Sequence, residues 1–128
     1  MTCKVLIADD EVNLLELLKD NLEDEGFTVF TAADGEEAVQ SWLRNKPDVV
    51  VLDIEMPKMN GWQVLEKIRS ITREKEIPII LILSAYVQPE DIHRGAQLGA
   101  NQYLTKPFKL KTLVETIKKS LKGINQGI

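Results

Sequence analysis

One cysteine, Cys3, and one histidine, His93, are all that 128 residues provide of either type. A single thiol excludes an internal disulfide framework, and a reducing cytoplasm fits that usage. The pair also excludes a zinc site built from clustered cysteine and histidine. No apolar run approaches the ~18 residues that would mark a membrane span. The opening MTCKVLIADD turns acidic too soon for a signal peptide. There is no excess of positive charge. The net charge of −4 weighs against non-specific nucleic-acid binding. Internal repeats, low-complexity stretches and linkers are missing until the last few residues.

What remains is ordinary globular material. The chain is 44% hydrophobic and 28% charged, enough for one compact domain with a real core. The charge is uneven. Positions 9 to 25 carry eight acids and one lysine, and positions 106 to 122 carry six lysines and one acid. Two solvated helix faces near one another account for this more simply than a docking patch.

Short, nearly all-apolar runs occur at Val5–Ala8, Thr28–Ala32, Val49–Leu52, Ile79–Leu83 and Tyr103–Thr105. Segments with helical spacing separate them. The first uses Leu14, Leu18 and Leu22, widened by Leu15 and Leu17, and stops at Gly26. The second begins at Asp34 with Glu37 three positions on. It buries Ala38, Val39, Trp42 and Leu43 and ends before Pro47. The third spans Gly61 to Ser70. The fourth starts near Pro89 and ends at Gly99. The fifth runs from Leu110 to Lys122 with Leu113, Val114, Ile117 and Leu121 inward. The expected fold is α/β: a doubly wound, five-stranded parallel sheet in order 2-1-3-4-5 with five helices, flavodoxin-like. The domain is expected over residues 1–123, with 124–128 as a tail.

Ligands of such sheets sit at the carboxyl ends of the strands. Strand 1 ends in Asp9, Asp10 and Glu11, strand 3 in Asp53, strand 4 in Ser84 and strand 5 in Lys106 and Pro107. Strand 2 lies aside. One aspartate after a strand is ordinarily a turn or cap residue. Four strand ends with matching polar groups are not explained that way. Close carboxylates repel by about 4 kcal/mol per pair at an effective dielectric near 20. Raised pKa values or a bound cation can offset this. Oxygen donors without histidine suit a hard ion such as Mg²⁺. With a lysine alongside, this is equipment for phosphoryl transfer, in which a carboxylate can itself be the nucleophile.

The segments IADDE, VLDIEMPKMNG, LILSA and GANQYLTKPF, in that order and spacing, resemble the receiver domain of bacterial two-component response regulators, chemotaxis regulators included. The resemblance covers essentially the whole chain. It implies that Asp53 accepts a phosphoryl group and that Asp9, Asp10, Asp53 and the backbone carbonyl of Glu55 hold Mg²⁺, for which Mn²⁺ could substitute. It implies that Ser84 is a switch hydroxyl, that Lys106 pairs with phosphoryl oxygens ahead of a cis bond to Pro107, and that Tyr103 is an aromatic switch. Pro57 and Gly61 shape the loop after the acceptor. Glu55 and Tyr86 stand where the family tunes phosphate lifetime.

The implied function is signalling. Phosphorylation on Asp53 switches the helix 4, strand 5 and helix 5 face. The partners are a histidine kinase or histidine phosphotransfer domain and an unknown output protein or fused effector domain. No direct nucleic acid and no membrane are expected, and the chain is a monomer or a phosphorylation-linked homodimer. Acids stand just before strand 5 in regulators that dimerise through that face. Here those positions are Asn101 and Gln102. Self-phosphorylation and slow autodephosphorylation are expected, without enzymatic turnover. The alternative is a small Mg²⁺-dependent phosphatase of haloacid-dehalogenase type, suggested by Asp53-Ile54-Glu55. That family places its nucleophile on the first strand. His93 reads as an exposed helix residue, Trp42 as core, Trp62 as partly buried and Cys3 as a small, unreactive residue opening strand 1.

Overall fold

The computed structural model describes residues 3–72, 78–85 and 88–126. Five strands alternate with five helices: β1 Lys4–Ala8, α1 Val12–Asp24, β2 Thr28–Ala32, α2 Gly35–Asn45, β3 Val49–Asp53, α3 Gly61–Ile71, β4 Ile79–Ser84, α4 Pro89–Leu98, β5 Gln102–Thr105 and α5 Leu110–Gln126. The sheet order is β2-β1-β3-β4-β5, and each neighbouring pair is parallel. The expected architecture is therefore the observed one.

The strand period of two divides the core. Leu6, Ala8, Val50, Leu52, Ile80 and Ile82 face one side, where α2 and α3 supply Ala38, Val39, Trp42, Val64, Leu65 and Ile68. Val5, Ile7, Val49, Val51, Ile79, Leu81 and Leu83 face the other, against Leu15, Leu18 and Leu22 of α1 and Leu113 and Ile117 of α5. Central strands covered on both faces explain why their sequences lack alternation. Among the described residues no helix is long and apolar enough to cross a membrane.

Local signals act where they stand. Asp34 caps α2 by accepting from the Glu37 N–H at 2.8 Å. Gly26 and Gly99 follow α1 and α4 with φ of +95° and +98°. Asn60 and Gln63 form a reciprocal capping box on α3 that the expected boundaries did not include. Three expectations need correction. Leu17 is 50% exposed and Leu43 is 44% exposed, because each helix rests on the sheet through a narrower stripe than its leucine count suggests. Trp62 is buried, not partly exposed, since it packs beneath α4 beside Tyr103. Helix α5 also continues past Lys122 to Gln126.

Helix α4 buries only Gly95 fully. Its far end is tied to α3 by Arg69. That guanidinium donates from Nε to the Gly99 carbonyl at 3.0 Å, and from one terminal nitrogen to the carbonyls of Pro78 and Gly99 and to Asn101 Oδ1. Asn101 Oδ1 also accepts from the Ile80 N–H at 2.7 Å. Asn101 thus joins α3, β4 and β5.

Gly99→Ala tests this corner. The left-handed backbone there disfavours any Cβ, and a methyl would stand 2.9 Å from Arg69 Nε. The substitution is expected to lower the unfolding free energy by about 1–2 kcal/mol in a urea titration. No loss would mean that the turn relaxes freely.

Candidate functional site

The strand register brings the site together. Asp53 is the last residue of β3 and pairs with Leu83, which puts Ser84 one step further along β4. Ser84 pairs in turn with Thr105, the residue before Lys106. Ala8 pairs with Leu52, so Asp9 leaves β1 beside Asp53. Each acid is the first polar residue after a run of buried aliphatic ones, and each is itself nearly inaccessible: Asp9 at 0% and Asp53 at 5%, with Ser84 at 5%. Asp10 and Glu11 are exposed. The acidic pair is therefore split between a buried and a solvated member.

Backbone amides hold both buried carboxylates. Asp9 Oδ1 accepts from the Glu11 N–H at 2.9 Å, and Asp53 Oδ1 from the Glu55 N–H at 3.2 Å. These turns use one oxygen of each acid and leave the other pointing into the crevice. There the Lys106 Nζ lies 2.8 Å from Asp9 Oδ2, 3.4 Å from Asp53 Oδ2 and 3.7 Å from Glu11 Oε1. The backbone N–H of Lys106 donates to the Ser84 carbonyl at 2.8 Å, and its bond to Pro107 is cis.

One ammonium does not balance these acids. Asp9, Asp10 and Asp53 each offer a carboxylate oxygen, and the three oxygens lie within 4.8 Å of one another. Burial and the neighbouring Asp9 charge push the Asp53 carboxyl up to about 6, while Lys106 and the Glu55 amide pull against them. Burial acts to lower the Lys106 pKa, but its bond to Asp9 and the charge of Asp53 outweigh this and raise it. Three hard oxygen donors with surplus negative charge fit a small divalent cation.

The other expected residues fall into two groups. Tyr103 is half-buried on the α4 side. Its hydroxyl donates to the Asp91 carbonyl at 2.6 Å, and its ring lies 6.2 Å from that of Trp62. Burial and the Asp91 charge push the phenol up to about 12. Arg94 sits 4.8 Å over the Trp62 ring. Glu55 is exposed, and Tyr86 lies outside the described residues. Gly61 lets α3 start against the end of β3, since a Cβ there would be 2.5 Å from the Asp53 carbonyl oxygen. His93 is exposed and Trp42 buried, as expected. Burial, reinforced by Asp48, pushes the Cys3 thiol up to about 11, which keeps it unreactive.

Strand β2 lies at the sheet edge, as expected, and reaches the site through backbone alone. The Asp9 N–H donates to the Ala32 carbonyl at 3.0 Å, and the corner leading into α2 packs on the loop after Asp53. The one available signal was a glycine directly after a helix cap, Asp34-Gly35, where no turn needs it.

Residues 5–118 match the family model described as the response regulator receiver domain. The chain belongs to that family. It is a receiver domain of the two-component response regulators. The chain is 42% identical, over 97% of its length, to 47% of a probable transcriptional regulator ycf27 from Guillardia theta. It is 39% identical, over 95% of its length, to 50% of the alkaline phosphatase synthesis transcriptional regulatory protein PhoP of Bacillus subtilis (strain 168). The receiver thus spans about half the length of the curated relatives it matches. The solved chemotaxis protein CheY4 of Vibrio cholerae superposes with a TM-score of 0.87 at 33% identity, over 94% of this chain and 99% of that one. A CheY-like receiver domain protein from Methanospirillum hungatei superposes with a TM-score of 0.91 at 26% identity, over the whole of both chains. Receiver domains bind Mg²⁺ at an acidic cluster. The phosphatase alternative finds no support: the match is to receivers, and Asp53 ends the third strand, not the first.

The raised Asp53 pKa has a consequence for stability. Between its ordinary value near 4 and about 6, the folded protein binds more protons than the unfolded one. Metal-free receiver should therefore lose stability as pH rises through that window. In urea titrations, Asp53→Asn should remove most of that slope and be the more stable protein at pH 7. An unchanged slope would mean that Asp53 is solvated normally.

Proposed function

We propose that Asp53 is the phosphoacceptor, and that this chain takes a phosphoryl group from a histidine kinase, a histidine phosphotransfer domain or a small acyl phosphate. The observation that carries the proposal is the meeting of a buried carboxylate, a second buried acid and a single lysine at the carboxyl ends of β3, β1 and β5. An Asp53 oxygen attacks phosphorus as the donor's P–N or P–O bond breaks, and the leaving group takes the bonding pair. Asp53 must be ionised to attack. Lys106, released from Asp53, is placed to meet a phosphoryl oxygen. Ser84, one residue past the partner of Asp53 in the sheet, is the hydroxyl assigned to the switch.

Asp9, Asp10, Asp53 and the Glu55 carbonyl are the proposed ligands of Mg²⁺, with Mn²⁺ as a substitute. When bound, the ion neutralises charge that builds on the transferred phosphoryl group. Phosphorylation of Asp53 biases an existing equilibrium in which Tyr103 and the α4–β5–α5 face differ. Glu55 and Tyr86 tune how long the phosphoryl group survives. The reaction is a single loading and slow loss, not turnover on phosphate esters.

The receiver is assigned to residues 1–123. The Guillardia and Bacillus relatives are named as transcriptional regulators, and an output of that kind would reside in sequence outside the aligned half. Asn101 is engaged by Arg69 and the Ile80 amide, so it supplies no acid for self-association through β5.

Intact mass after incubation with acetyl phosphate and Mg²⁺ tests the assignment. One labile phosphoryl group should appear, and Asp53→Asn or a chelator should abolish it. A stable adduct, or one that survives Asp53→Asn, would place acceptance elsewhere.

A further inference from the structure

The loop after Asp53 is held from a direction that the acceptor chemistry does not require. Helix α2 begins at Gly35, and a Cβ built there would run into the carbonyl group of Met59. Gly35 is not in the left-handed region, so its backbone would accept alanine. The demand for glycine is one of space: the start of α2 lies directly on the backbone of the acceptor loop. The Gly35 N–H also points to the Pro57 carbonyl at 3.5 Å, and the Met59 N–H donates to that same carbonyl at 2.7 Å. Lys58, between them, reaches back to Asp34 Oδ2 at 3.6 Å, while Asp34 Oδ1 caps α2.

Lys58 has φ of +68°, a conformation that costs a lysine about 1–2 kcal/mol. Such a residue stays there only where its surroundings over-determine it. The surroundings here are the α2 corner on one side and Gly61, packed on the Asp53 carbonyl, on the other. The segment between these two close approaches includes Glu55, whose N–H holds Asp53 Oδ1.

We propose that Gly35 is a positioning residue for the cation site: its missing side chain lets α2 fix the 55–60 loop, and with it the Glu55 carbonyl and the Asp53 carboxylate. This rests on the reading of those two groups as metal ligands. The contact with the loop is mostly steric. The Asp34–Lys58 pair is a weaker second tie, because the lysine side chain is 60% exposed.

Calorimetric titration with Mg²⁺ of the metal-free chain, without any phosphoryl donor, tests this beside urea unfolding of the same proteins. Gly35→Ala should weaken Mg²⁺ binding about tenfold or more, the scale seen when a group behind a ligand is disturbed. Lys58→Ala, which removes only a surface tie, should fold normally and weaken binding by a smaller factor, and it carries the test if Gly35→Ala fails to fold. Gly99→Ala lies on the far side of α4 and should lose stability while keeping wild-type affinity. Wild-type affinity in both Gly35→Ala and Lys58→Ala would overturn the positioning role and leave the cation site standing. Weakening in Gly99→Ala equal to that in Gly35→Ala would also overturn it, since lost stability alone would then explain both. No Mg²⁺ binding by the unsubstituted chain would overturn the ligand reading together with the proposal.

Discussion

The rest of the structure depends on keeping two buried carboxylates side by side. Asp9 and Asp53 sit at the carboxyl ends of adjacent strands, both nearly inaccessible to water. Burial, and then their repulsion, raises the Asp53 pKa, and the Lys106 ammonium between them limits the rise. Sheet order makes this possible. β1 and β3 are neighbours at the centre, and β5, two strands from β3, supplies a long side chain that reaches back across β4. A carboxylate at a less rigid position would turn to solvent and lose both its perturbation and its aim.

The arrangement is incomplete by design of its charge. One lysine faces Asp9, Asp53 and Glu11, and a further acid, Asp10, shares the mouth of the crevice. A compact divalent ion is the simplest addition that balances the group. The metal-free state is therefore held under electrostatic tension that such an ion would relieve. Less tightly built elements stand on the α4 side, where the proposed switch would be read. α4 has one fully buried residue, and Tyr103 beneath it is tied by one hydrogen bond to the Asp91 carbonyl. Elements with few buried contacts are the ones that move at low cost.

Much of this was legible in the sequence. Apolar runs ending in Asp9, Asp53, Ser84 and Lys106 identify both the strands and the edge that carries chemistry. The capping pattern at Asp34 and the glycines at 26 and 99 mark helix ends by local physics, and local physics is what a sequence records best. The failures were failures of tertiary context. Leu17 and Leu43 have the right spacing to be buried, but the neighbours that would cover them are not there. Trp62 is buried because α4 passes over it, a long-range fact. Gly35 looks like a helix start of low propensity until the Met59 carbonyl is seen against it. Asn101 looks like a lost acid until Arg69 and the Ile80 amide are seen to use its oxygen.

The central claim is that the Asp53 carboxylate is a poised nucleophile in a site completed by a divalent cation. Fluorine resonance of the protein with beryllofluoride, a tetrahedral phosphoryl mimic that bonds to a carboxylate oxygen, tests it without any donor or enzyme. The account predicts slowly exchanging bound resonances that need Mg²⁺ and vanish in Asp53→Asn. Bound resonances without a divalent ion, or undiminished in Asp53→Asn, would contradict it.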